Sequence, residues 1–65
     1  MVLDIKKIMV AGADKRMTLK DVLTAAHMSK HTVKRIKNGA EVTMKTAGKL
    51  ADVLGVSVAE LLADN

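Results

Sequence analysis

Apolar positions recur along this chain at helical spacing, in short runs separated by turn residues. Ile5, Ile8 and Met9 stand at i, i+3 and i+4, which predicts a first helix ending near Gly12 and a loop over 11–16. Leu3 and Val10 fall off that face, so each is expected to be exposed or to meet a second subunit. Thr18 is a capping residue with Asp21 at the capping-box position, and it opens a second helix that reaches Ala26. Ser29 opens a third, which leaves at Asn38-Gly39 by a left-handed turn. A fourth, from Thr43 to Leu54, turns Met44, Ala47, Leu50, Ala51 and Leu54 inward and stops at Gly55. Gly48 inside it costs about 1 kcal/mol against Ala, so a neighbour is expected to pack close there. A fifth begins at Ser57 with the box Ser57-x-x-Glu60 and faces Val58, Leu61 and Leu62 inward. Met9, Met17, Met28 and Met44 read as core filler.

The stretch from Thr18 to Gly39, TLKDVLTAAHMSKHTVKRIKNG, organises the rest: two short helices joined by a tight turn. Val22, Ala26, Val33 and Ile36 are small or branched enough to let those helices cross closely. At about 100° per residue, Val33 and Ile36 mark the buried side of the third helix. The opposite side carries His31, Lys34, Arg35 and Asn38, with Lys30 and Thr32 flanking. A polar, mostly basic outward face on the second helix of such a pair is the pattern of a helix-turn-helix with an exposed recognition helix.

Composition narrows the class. A chain of 65 residues supports one domain, expected over 1–65, with no separate oligomerisation or effector domain. There are no aromatic residues, so the core must come from Leu, Ile, Val, Met and Ala, which suits an all-α fold better than a sheet. There is no cysteine, so neither disulfides nor thiolate metal sites arise, and a reducing cytoplasm is the natural compartment. No stretch approaches the roughly 20 apolar residues of a membrane span, and Asp4 interrupts any signal-peptide run.

Net charge is +4, but its placement says more. Lys30, Lys34, Arg35, Lys37, Lys45 and Lys49 lie between Ser29 and Lys49 against the single acid Glu41. Asp52, Glu60 and Asp64 follow with no further base. A solvated lysine face is the plain explanation for an arbitrary helical chain. Here the cluster falls on the recognition helix and the helix start after it, as contact with a polyanion requires.

Catalytic and ligand chemistry finds no foothold. His27 and His31 have i, i+4 spacing, but the Ser29 cap falls between them, so no metal site is expected. There is no phosphate-binding GxxxxGK[ST] loop, and no serine or cysteine is placed with a base. Asp52 and Glu60 are single carboxylates. The expectation is a protein that is not an enzyme, with no cofactor, catalytic residue or small-molecule ligand.

Ser29-x-x-x-Val33-x-x-Ile36-x-Asn38-Gly39, preceded by Thr18 and Met28, resembles the helix-turn-helix of the phage-repressor/Cro-type (XRE-like) family. Leu50-Ala51-x-x-Leu54-Gly55-Val56-Ser57-Val58-x-x-Leu61-Leu62 is similar to that family's fourth and fifth helices. The resemblance implies a five-helix all-α domain with double-stranded DNA as partner. By family position, Lys30, His31, Thr32 and Lys34 would meet bases and Arg35 base or backbone, and lysines favour guanine O6 and N7. Lys37 and Asn38 are better placed for phosphates. Thr43 with the amides of Met44 and Lys45 would hold another, helped by the helix dipole.

Three departures stand out. The family often has Gln after the first cap; this chain has Leu19, leaving Lys20 as the nearest phosphate donor. Where the family turn has Gly, this chain has His27, which is expected to need positive φ. The 11–16 loop is longer than usual, and its Lys15 and Arg16 are equally well read as phosphate contacts or as solvated charges.

The function implied is a sequence-specific transcriptional regulator, a repressor that occludes a near-palindromic operator. A homodimer would place two recognition helices in successive major grooves about 34 Å apart, with the distal side of the fifth helix and the last residues as its surface. Two alternatives remain: an antitoxin-like or mobile-element control protein, and a protein-interaction module on the same fold, which Leu19 favours.

Overall fold

The computed structural model describes residues 1–64; Asn65, the last residue of the expected domain, lies outside them. Four α-helices follow one another: α1 Ile5–Asp14, α2 Leu19–Ala25, α3 Lys30–Lys37 and α4 Met44–Leu54. They close with a single 3-10 turn over Val58–Leu61. The caps explain most of the boundaries. The Thr18 hydroxyl accepts from the Asp21 amide (3.1 Å) and the Asp21 carboxylate accepts from the Thr18 amide (3.0 Å), a complete capping box. Thr43 accepts from the Thr46 amide at 3.2 Å and starts α4. Asp4, directly before the first apolar residue of the helical pattern, caps α1 by accepting from the Lys6 amide at 2.9 Å. Ser29 has the extended backbone of a cap, but its side chain makes no capping bond.

α1 and α2 end on the same hydrogen-bonded exit. Met17 N–H donates to Gly12 C=O (2.8 Å) and Arg16 N–H to Ala13 C=O (2.9 Å). In α2, Met28 N–H donates to Leu23 C=O (2.9 Å) and His27 N–H to Thr24 C=O (3.2 Å). Arg16 and His27 consequently stand in the left-handed region, φ 58° and 56°. The His27 expectation holds; Arg16 was not foreseen.

The core is one cluster of Leu3, Ile8, Val22, Ala26, Ile36, Ala47, Leu50, Ala51, Leu54 and Leu61, all 5 % exposed or less. α1 packs on α2, α3 and α4, and the 3-10 turn packs on α1 and α4. Where α1 meets the α2 start, Gly12 is buried so tightly that a Cβ there would lie 3.3 Å from Met17 O and from Val22 Cγ2.

Residues 1–4 form a strap. Leu3 makes an antiparallel bridge with Leu62, Asp4 N–H donates to Leu61 C=O (2.9 Å), and Ala63 N–H donates to Val2 C=O (3.0 Å). At the other end of the strap, Val42 N–H donates to Met1 C=O (2.7 Å), so the α3–α4 loop and the C-terminal segment are joined through it. Lys7 Nζ fixes the same segment, donating to Leu62 C=O (2.8 Å) and pairing with Asp64 (3.1 Å).

Several expectations are corrected. The fifth helix is only the 3-10 turn: the chain straightens at Leu62 (φ −67°, ψ 139°) because that residue pairs with Leu3. Its capping carboxylate is nevertheless in place, Glu60 accepting from the Ser57 amide at 3.3 Å, and Leu61 is fully buried. α1 continues to Asp14, so most of the expected 11–16 loop is helical. Leu3 is buried, whereas Val10 stays exposed. Met9 and Met44 are 51 % and 76 % exposed and fill no core, because no other element covers their side of α1 and α4. Gly48 has no neighbour within 4 Å of a Cβ, so close packing does not account for it.

Candidate nucleic-acid interface

Val33 and Ile36 anchor α3, 8 % and 4 % exposed, and everything polar on the helix is turned by that anchorage. His31, Lys34, Arg35, Lys37 and Asn38 are exposed, as is Lys30 on the first turn, while Thr32 is half-buried. The outward face expected from the helical wheel is the one observed.

That face has two flanks. Toward α2, a groove of about 370 Å³ is floored by Leu19, Leu23 and Val33 and rimmed by Lys20, Lys30, Lys34 and Lys37. The structure thus gathers Lys20 from α2 with three lysines of α3. Leu19, which replaces the family's polar residue, becomes part of the apolar floor. Toward α4, a second depression of about 390 Å³ is lined by Thr32, Arg35, Glu41, Val42, Thr43 and Thr46. Arg35 Nη2 donates to the Glu41 carbonyl at 3.2 Å, which bends its guanidinium toward the start of α4. Arg35 therefore sits with Thr43 and apart from the lysine groove.

On the first turn of α4, the Thr43 hydroxyl is committed to Thr46, and Met44 and Lys45 are both exposed beside it. A helix of 11 residues presents its positive dipole end there. Among the expected site residues, then, Lys20, Lys30, Lys34 and Lys37 share one groove. Thr32, Arg35 and Thr43 share another, and His31 and Asn38 stand outside both.

The sequence model of the Cro/C1-type HTH DNA-binding domain family matches residues 5–65. The chain belongs to this family. It is a DNA-binding helix-turn-helix domain of the Cro/C1 type. No curated protein and no solved structure matches the chain.

In this Cro/C1-type domain, none of Lys20, Lys30, Lys34 and Lys37 has an ion-pair partner within 4.0 Å among the described residues. Hydrogen bonds from the Thr18 backbone amide and hydroxyl hold the Asp21 carboxyl below its ordinary value of 3.8. The cause is capping, a structural role, which keeps α2 and so the α2 side of the lysine groove in place. Among the described residues no three His, Cys, Asp or Glu side chains gather as a metal site would need. No helix among them is long and apolar enough to cross a membrane.

The sequence reading missed three participants. Leu23 adds to the groove floor, visible only once α2 and α3 are crossed. Glu41 receives Arg35 through its backbone carbonyl, which its side chain does not advertise. Val42 holds the α3–α4 loop to Met1. None of the three carries a local sequence signal for its role.

Proposed function

We propose that this domain is a sequence-specific regulator of transcription that lays α3 in the major groove of double-stranded DNA. In this reading residues 1–65 act as one domain in the cytoplasm. The protein represses by occupying a near-palindromic operator as a homodimer. The observation that carries the reading is the two-sided charge of α3, with lysines toward α2 and Arg35 toward the α4 start, on a fold of the Cro/C1 type.

The roles follow from position. Lys30, His31, Thr32 and Lys34, on the first turns of α3, reach base edges, lysines preferring guanine. Lys20, Lys37 and Asn38 take phosphates. Arg35, drawn toward Thr43, takes a phosphate together with Thr43, Met44 and Lys45 rather than a base. Phosphate contacts give affinity and register, and the base contacts give choice.

A second reading is favoured by Leu19, Leu23 and Val33, whose apolar floor would suit the helix of an acidic protein partner. Selection from a random-sequence duplex pool at two salt concentrations separates the two. Enrichment of an inverted repeat supports the dimeric regulator. Salt-sensitive binding without enrichment removes the sequence-specific reading and leaves the protein-partner reading.

A further inference from the structure

We propose that the exposed face of α1 is the homodimer surface, with a second copy of this chain packed antiparallel against it and Val10 on the two-fold axis. The inference rests on the dimeric reading above and moves its surface to α1 from the expected fifth helix, which is only a 3-10 turn.

α1 carries a contiguous apolar patch on its outer side: Met9 and Val10 are 51 % and 63 % exposed. Ala13 is exposed beside them. The patch borders a groove of about 440 Å³ between α1 and the 3-10 turn, lined among others by Lys6, Val10, Ala11, Asp14, Val56 and Leu61. Two charges of α1 flank Val10 symmetrically, Lys6 four residues before it and Asp14 four residues after it, while Lys7 and Glu60 also line the groove. Four residues is about one turn, so Lys6, Val10 and Asp14 share a face, with the two flanking charges about 12 Å apart along the axis. Neither Lys6 nor Asp14 has an ion-pair partner within 4.0 Å among the described residues, whereas Lys7 is committed to Asp64.

A two-fold axis passing between the copies at Val10, perpendicular to the helices, sets Lys6 of one copy opposite Asp14 of the other, and the reverse. An isologous interface requires such self-complementarity. Met9, Val10 and Ala13 would then be covered on both copies at once, between two salt bridges. The same charge pattern repels a parallel arrangement, because it sets lysine against lysine and aspartate against aspartate.

The test is sedimentation equilibrium of the full chain without DNA. Wild type is expected to dimerise, and Val10→Glu, Lys6→Asp and Asp14→Lys each to weaken association by about tenfold or more. All three residues are exposed, and circular dichroism checks that each variant folds. Mixing Lys6→Asp with Asp14→Lys brings an all-acidic face to an all-basic one and is expected to restore dimers. The charge-neutral double variant Lys6→Asp/Asp14→Lys is expected to restore them within a single chain. A wild-type dimer indifferent to these substitutions overturns the α1 surface and leaves the dimeric reading standing. A wild type that stays monomeric at about 1 mM overturns both the surface and a dimer that forms before DNA.

Discussion

Arg16 and His27 hold nearly the same backbone conformation, φ 58° and 56°, at the same step of two successive helix exits. Glycine is the residue that adopts it without a side-chain penalty, and this chain places Gly39 and Gly55 at φ 77° and 68° beyond α3 and α4. The first two helices end on side chains where the last two end on glycine. Arg16→Gly and His27→Gly are each expected to stabilise the fold by about 0.5–1 kcal/mol. Urea denaturation followed by circular dichroism reads the effect. An unchanged or lower midpoint for both would mean that those side chains supply more than the backbone loses.

Gly48 and Gly12 are expected to respond differently to one substitution. Nothing lies within 4 Å of a Cβ at Gly48, so Gly48→Ala gains helix propensity without a clash, about 1 kcal/mol. At Gly12 the same methyl meets Met17 O and Val22 Cγ2 at 3.3 Å, and the gain is expected to disappear. Thermal midpoints of the two variants, measured together, decide it.

Lys34→Ala is expected to cost about 1–3 kcal/mol on the cognate duplex and to relax preference at one base position. Equal losses on every sequence would reassign Lys34 to phosphate.

Lys45→Ala and Arg35→Ala are expected to weaken binding uniformly, with the slope of log affinity against log salt shallower by about one for each. Binding titrations on cognate and scrambled duplexes at several salt concentrations measure both quantities. A change in base preference for Arg35→Ala would place its guanidinium in the groove despite its bond to Glu41.

Acid weakens α2 through a single carboxylate. Asp21 is held below 3.8 in the folded protein, so its capping contribution is complete above that unfolded value. It fades as pH falls through the lower folded value. Asp21→Asn should flatten this part of the profile. The comparison is the thermal midpoint of both proteins between about pH 5 and pH 2.

Elements defined by local chemistry were legible from the sequence alone. Thr18 with Asp21 starts α2, Thr43 starts α4, and the Asn38-Gly39 exit follows α3, each within a few residues. His27 was legible through the family resemblance, whose turn has Gly at that position. What failed depended on distant partners. Periodicity shows that Met9 and Met44 share an apolar spacing but not whether anything covers them. Ser57-x-x-Glu60 starts a helical turn correctly, yet the Leu3 bridge stops it after Leu61. Within the candidate site, the outward face of α3 was readable from Val33 and Ile36. Its division into a lysine groove and an arginine flank required the positions of α2 and the Glu41 carbonyl.

The Leu3–Leu62 bridge bears on the order in which the protein assembles. Joining the chain across about 60 residues carries roughly 1.5 kcal/mol more closure entropy than joining the ten or so between α2 and α3. The helical hairpin that carries the lysine groove can therefore collapse early, while the strap waits for the other helices to bring its two docking edges together. Because the strap also holds Val42, the α3–α4 loop is the last part of the candidate interface to lock and the first to loosen. Amide exchange should expose this hierarchy, with Asp4, Val42 and Ala63 released before Val22 or Ala26.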